Sequence, residues 1–216
     1  MVKILDIRNK VAPSKTTRKI SQITKIARHH SATTNGDYFA FWNNRWKGLG
    51  WGKGGYHEII LTDGTVQLCY DPIYPTNGIG NHNTNTYHIC VVGNGAFTAA
   101  QERAFEERCL LAIHNFGLSV DDVLGHNEFS GTATSCPGIN MDSVRKRLKE
   151  LNQPKKEVAG VTEQKLNADQ EKVRQEAIKL GITDGKNPFR EVNQYYVWNA
   201  LLTIARELEE LKKKVK

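Results

Sequence analysis

Three side chains, the remote His29 together with His126 and Cys136, constrain the fold most, because one metal ion can hold them only if residue 29 returns beside the segment 125–138. Zinc takes imidazole nitrogen and thiolate sulfur, and a catalytic zinc has three protein ligands with a fourth position left for water. His126 and Cys136 share one connected segment, Gly125-His126-Asn127-Glu128 followed by Thr134-Ser135-Cys136-Pro137-Gly138, with nine residues between them. Gly55-Tyr56-His57 adds a phenol, and the set predicts metal-assisted hydrolysis. Taken singly, such a histidine is more often packed or hydrogen-bonded and such a cysteine a small buried hydrophobe. The chain has seven histidines, so sequence context has to decide.

The local patterns supply a frame for these residues. Ile23–Arg28 reads as a short strand ending at His29, and Asp37–Trp46 as an aromatic-rich helix. Gly55–Leu61 and Thr65–Tyr70 read as a hairpin around Asp63-Gly64, a strong short-range turn signal. Ile89–Val92 reads as a buried strand and Val123-Leu124 as a final short one. Thr98-Ala99-Ala100-Gln101 is a capping box, after which Phe105, Cys109, Ala112, Ile113 and Phe116 share one helical face. A last helix spans roughly Asp142–Leu151. This alternation predicts an α/β class, a mixed central β-sheet flanked by helices with the metal site at one sheet edge.

After Leu151 the composition turns polar. The expected organisation is a first domain over 1–151 that carries the site, a linker over 152–161 and a small C-terminal helical domain over 162–216. Leu166, Val173, Ala177 and Leu180 can share a helical face before Gly181. Val197, Leu201, Ile204, Leu208, Leu211 and Val215 form a heptad stripe, either the inner face of a helical hairpin or the seam of a homodimer.

Four blocks, in order, resemble the zinc-dependent type 2 N-acetylmuramoyl-L-alanine amidases, a family that includes small phage lysozymes and the peptidoglycan recognition proteins. They are Ala27-Arg28-His29-His30-Ser31-Ala32-Thr33, Gly55-Tyr56-His57-Glu58-Ile59-Ile60 running into Thr62-Asp63-Gly64-Thr65, Asn85–Gly93, and the segment with His126 and Cys136. The resemblance covers roughly Ile20–Leu151. It implies that zinc (Zn2+) is held by His29, the first of the histidine pair, with His126 and Cys136. It further implies that Tyr56 stands beside the metal-bound water, that Thr134 helps hold the developing oxyanion where several relatives have lysine, and that His82 contacts sugar or peptide. Cys90 stands where many relatives carry a glutamate base, and His88 where relatives usually have glycine; the sequence assigns His88 no role. Because successive strand side chains alternate, Tyr56 and His57 should point to opposite faces, leaving His57 as a group behind the metal ligands or a structural histidine under the sheet.

The reaction so implied is hydrolysis of the amide between N-acetylmuramic acid and L-alanine, with zinc polarising the carbonyl and lowering the pKa of its water to about 7. A formal charge of +7 attracts polyanions, among them a Gram-positive wall with teichoic acids. Nucleic acid is not the expected partner, since no motif for it accompanies the charge. Cys69, Cys90 and Cys109 lie in apolar segments and read as buried thiols. Met1–Lys19 has no apolar run of a secretory signal, and no segment is long enough for membrane insertion. Retention in a host cytoplasm until release suits a phage endolysin that cuts the bacterial peptidoglycan, and Ile182–Arg190 resembles small helical modules appended to cell-wall hydrolases. The alternative is a non-catalytic peptidoglycan-binding recognition protein, which commonly lacks the cysteine ligand. A zinc nucleobase deaminase would need a Pro-Cys-x-x-Cys element that is absent.

Overall fold

The computed structural model describes residues 2–153 and the helix Ala168–Lys179. Six strands, β1 (Ile4–Asp6), β2 (Lys25–His30), β3 (Glu58–Ile60), β4 (Val66–Leu68), β5 (Thr86–Val91) and β6 (Val123–Gly125), form one sheet in the order β1-β4-β3-β5-β2-β6. Only β3 and β4 are antiparallel; the other pairs run parallel, so the sheet is mixed as expected. The helices are α1 (Tyr38–Phe41), α2 (Ala99–Phe116), α3 (Met141–Asn152) and α4 (Ala168–Lys179). The chain divides into two compact units, Met1–Pro154 and Lys155–Lys216. Of the expected tail, α4 is helical, whereas residues 154–161 of the linker expected over 152–161 and the heptad stripe from Val197 lie outside the described residues.

Local chemistry explains the elements. Thr98 caps α2 by accepting from Gln101 N–H, while the Gln101 side chain accepts from Thr98 N–H, and Gly117 ends the helix with a left-handed φ of 65°. The buried stripe Ala104, Phe105, Cys109, Ala112 and Ile113 packs α2 over Ile26, Ile60, Tyr87, Ile89 and Val91, joined by Leu148 of α3. In the β3–β4 turn the Asp63 carboxylate accepts from the backbone N–H and hydroxyl of Thr65, and Gly64 takes φ 84°.

The opposite face of the sheet is covered by aromatic side chains. Tyr38, Trp46 and Tyr70 pack on Ile59, Cys90 and Val92, with Trp42, Trp51 and Tyr56 beside them. Here the sequence expectation needs two corrections. The helix expected over Asp37–Trp46 is one α-helical turn capped by Asp37, followed by a wider π turn at Trp42–Trp46 that brings Trp46 edge-on to Tyr38 at 5.6 Å. The strand expected from Gly55 begins at Glu58, because Gly54 and Gly55 pass directly under the Tyr38 and Trp46 rings; a Cβ on Gly54 would lie 2.7 Å from Tyr38.

Candidate metal centre

The pleat of β2 decides which histidine enters the site. Ile26 joins the core under α2, and Arg28 reaches Glu102 of α2 on the same face, so Ala27 and His29 project to the other face. His29 pairs with Cys90 across the parallel β2–β5 register, at the carboxyl end of β2, the last strand but one of the sheet. Crevices at the carboxyl ends of parallel strands are the usual ligand sites of such sheets. The site therefore lies at the strand ends of β2, next to the edge strand β6.

His126 follows β6 directly, and its segment is tied down at three points. The Glu128 carboxylate accepts from Gly125 N–H and forms a two-bond pair with Arg145 of α3. Asn127 N–H donates to Cys136 O at 2.8 Å, which joins the arm of His126 to that of Cys136. The Thr132 hydroxyl donates to His126 O at 3.1 Å.

The three donor atoms of His29, His126 and Cys136 lie within 4.8 Å of one another. His29 Nδ1 is 3.8 Å from Cys136 Sγ, and the His29 and His126 rings are 4.8 Å apart in an edge-on arrangement. Two ligands of a tetrahedral zinc, one sulfur and one nitrogen, stand about 3.6 Å apart given the usual bond lengths. The set thus fits a single four-coordinate ion with small adjustment. His29 and Cys136 are buried, and His126 is half-buried toward a cleft of about 650 Å³ whose walls include Tyr56, Trp46, Trp51, Arg45 and Asn77. Burial lowers the pKa of His29 far below its ordinary value, with help from the neighbouring His88, His126 and His30, and burial lowers that of His126. Both imidazoles are neutral near pH 7, the form that binds a metal. Burial pushes the Cys136 thiol up to about 11, opposed by the His30 N–H that donates to Sγ at 3.2 Å.

The remaining residues expected at the site take different positions. The Tyr56 ring stands 4.9 Å from that of His29 and lines the cleft. Thr134 is exposed beside the cysteine; its Oγ1 accepts from Cys136 N–H at 3.2 Å, leaving its own proton to be donated elsewhere. His57 is buried away from the cleft, where its Nδ1 accepts from His88 N–H, its Nε2 meets Tyr74 O at 3.1 Å and its ring stacks on Tyr87. His82 does not line the cleft. Its ring packs on Phe129 and its Nε2 is 3.1 Å from Ser130 O, so it braces the loop after β6. His88, to which the sequence assigned nothing, is the residue behind the site: its Nδ1 is 3.0 Å from His29 Nε2. Among the described residues no helix is long and apolar enough to cross a membrane.

A mixed sheet with α2 and α3 on one face, and an open His-His-Cys cluster at the strand ends of the other, defines the class of an α/β protein built around a metal-binding cleft. The sequence pattern of the family described as N-acetylmuramoyl-L-alanine amidase matches residues 19–139, more than half of the chain, and the chain belongs to that family. Among solved structures it is similar to the N-acetylmuramoyl-L-alanine amidase LysC of Clostridium intestinale, with a TM-score of 0.59 and 20% identity over 69% of this chain and 99% of that one. It is also similar to the Ph2119 endolysin of a Thermus scotoductus bacteriophage, with a TM-score of 0.56 and 22% identity over 68% and 98%. A point mutant of Drosophila PGRP-LB in complex with tracheal cytotoxin gives 0.52 and 15% over 62% and 88%. These identities establish a common fold. No curated protein sequence matches closely enough to count as a relative.

Proposed function

We propose that this chain hydrolyses the amide bond between N-acetylmuramic acid and L-alanine in bacterial peptidoglycan, using a zinc ion held by His29, His126 and Cys136. The observation that carries the reading is the convergence of three donors within 4.8 Å at the wall of a cleft that also holds a tyrosine. When bound there, zinc would supply Lewis acidity toward the carbonyl and an acidified water. The donor set favours zinc among divalent ions because it mixes imidazole with thiolate.

The chain's own residues divide the remaining work. Burial, with the Cys90 and Cys136 thiols close by, holds the Tyr56 phenol well above its ordinary pKa, so Tyr56 keeps its proton and acts as a donor that orients the attacking water or the carbonyl. The Thr134 hydroxyl, whose oxygen already accepts from Cys136 N–H, has its proton to offer the developing oxyanion. Trp46, Trp51 and Arg45 give the cleft aromatic faces and a cation with which to grip a glycopeptide. The fuller biological reading is a phage endolysin that acts on the wall from within the host, with the C-terminal domain expected over 162–216 as a wall-binding or dimerising element. Attraction of a basic chain to teichoic acids points to Gram-positive hosts.

The test is digestion of Gram-positive peptidoglycan by the purified chain, with and without chelator, beside Cys136→Ser. Release of N-terminal L-alanine that needs metal and is lost in the variant, without new reducing sugar, supports the amidase. New reducing ends would point to a glycosidase. Binding to peptidoglycan without cleavage would favour the second reading, a recognition protein, supported by a shared fold with Drosophila peptidoglycan recognition protein SD.

A further inference from the structure

The His88 imidazole is wholly buried, yet it lies on a strand face where an apolar residue would pack without polar cost. Its ring stacks on His57 with centroids 5.7 Å apart and planes at 15°, while its backbone N–H donates to His57 Nδ1 at 3.0 Å. On the other side the chain leaves room for it by having glycine at position 78, where a Cβ would fall 2.5 Å from His88 Nδ1. The ring is therefore held in one orientation, which brings Nδ1 to 3.0 Å from His29 Nε2. Its Nε2 is buried with no partner among the described residues, where the contact with His29 is the one hydrogen bond this side chain makes.

We propose that His88 is a positioning residue for the metal ligand His29: its Nδ1 accepts the Nε2 proton of His29 and thereby leaves the His29 Nδ1 lone pair directed between Cys136 and His126. The inference rests on the metal reading above and adds the group that fixes the ligand's tautomer. A shared proton between two neutral imidazoles allows two arrangements. In one, His29 donates from Nε2 and His88 carries its own proton on Nε2, buried without an acceptor. In the other, His88 donates from Nδ1 and His29 holds its proton on Nδ1, the atom 3.8 Å from Cys136 Sγ, where it blocks the metal. Only the first is compatible with a metal on Nδ1. Partners of this kind orient ligating histidines, and their loss typically weakens metal binding by about 10–100-fold.

The experiment is zinc competition with a chromophoric chelator on the full chain, comparing the parent with His88→Leu and His88→Asn, alongside nitrogen chemical shifts of the histidine rings in the zinc-loaded parent. The asparagine amide oxygen stands as many bonds from Cβ as Nδ1 does and keeps an acceptor there. The expected result is a zinc Kd weakened about 10–100-fold by leucine and restored to within about threefold by asparagine, with His29 and His88 both protonated on Nε2. Parent-like zinc affinity in a folded His88→Leu, or a His88 proton on Nδ1 in the loaded protein, overturns the proposal while leaving the metal site standing. A parent that takes up no zinc overturns the metal reading and this inference together. If His88→Leu does not fold, His88→Gln replaces it: the longer side chain displaces the acceptor, and affinity equal to that of His88→Asn would overturn the role.

Discussion

The backbone N–H of His30 donates to Cys136 Sγ at 3.2 Å, a hydrogen bond between β2 and the loop that follows β6. It aligns the sulfur with His29 before any metal arrives, and it stabilises the thiolate that a metal requires. Burial nevertheless keeps the metal-free thiol protonated, with a pKa of about 11. His29 and His126 have depressed values and are already neutral at pH 7. Zinc uptake should therefore release one proton from Cys136 and, between pH 7 and 9, a further fraction rising toward one from the water that zinc would acidify, so log Kd should fall by between about one and two per pH unit over that range. Titration calorimetry in buffers of differing ionisation enthalpy measures this number. Release of well under one proton, or of more than two, would contradict the assigned protonation states.

Tyr56 lines the cleft with its ring against that of His29, and its phenol is held in the protonated form. Tyr56→Phe removes the donor without opening the packing against Trp46, whose ring lies 5.6 Å away. The expected outcome is a fall in kcat of about 100-fold, within the range for a positioned proton donor, at unchanged zinc content and little change in KM. Steady-state kinetics with a muramyl peptide, beside metal analysis, checks it. A variant that loses zinc as well would make Tyr56 part of the metal's support rather than of the chemistry.

Arg28 is fully buried, and its guanidinium forms two bonds to Glu102 at 2.6 and 2.9 Å while lying 4.2 Å over the Phe105 ring. Glu102→Leu leaves that cation buried without its partner, whereas Arg28→Met removes the charge and keeps an unbranched chain against Phe97 and Phe105. Breaking such a pair from one side costs about 3–5 kcal/mol, while apolar replacement is often near neutral. Urea unfolding should therefore rank Glu102→Leu as the more damaging change by at least about 2 kcal/mol. The reverse ranking would mean that the pair stabilises β2 in its own right.

Features with local causes were legible in the sequence. The Asp63-Gly64 turn and the Thr98–Gln101 cap follow from side chains bonding backbone within three residues, and both form. The choice of His29 over His30 rests on family likeness until the β2 pleat supplies its physical reason. What stayed hidden depends on distant contacts. The strand β1 has no apolar alternation to announce it, since Ile4, Leu5 and Asp6 are all exposed and only pairing with β4 defines them. The π turn at Trp42–Trp46 differs from a helix by one residue per hydrogen-bonded ring, a difference that the spacing of Tyr38, Phe41 and Trp46 does not encode. His88 carries no signal of its own, because its place depends on the space at Gly78 and on the free nitrogen of His29. His82 looks equally available in sequence and is instead bonded to Ser130.

His29, His57 and His88 form a buried chain of imidazoles, and burial is the first cause lowering the pKa of each. Mutual repulsion and the nearby Arg18 act in the same direction on His57 and His88. The unfolded chain takes protons on these residues near pH 6.5, whereas the folded chain refuses them until the pH is well below that. Their contribution to stability is thus fully present above pH 6.5 and is lost as pH falls through the window between the unfolded and folded values. Each residue that is charged only when unfolded lowers stability by up to about 1.4 kcal/mol per pH unit, so three acting together give up to about 4. Urea midpoints of the metal-free chain should be flat from pH 8 to 7 and fall steeply from pH 6.5 to 5, before carboxylates contribute strongly. Zinc should oppose the loss by holding His29 and, through it, His88. A midpoint independent of pH across that window would mean that the three imidazoles accept protons without unfolding, and that the cluster is open to water.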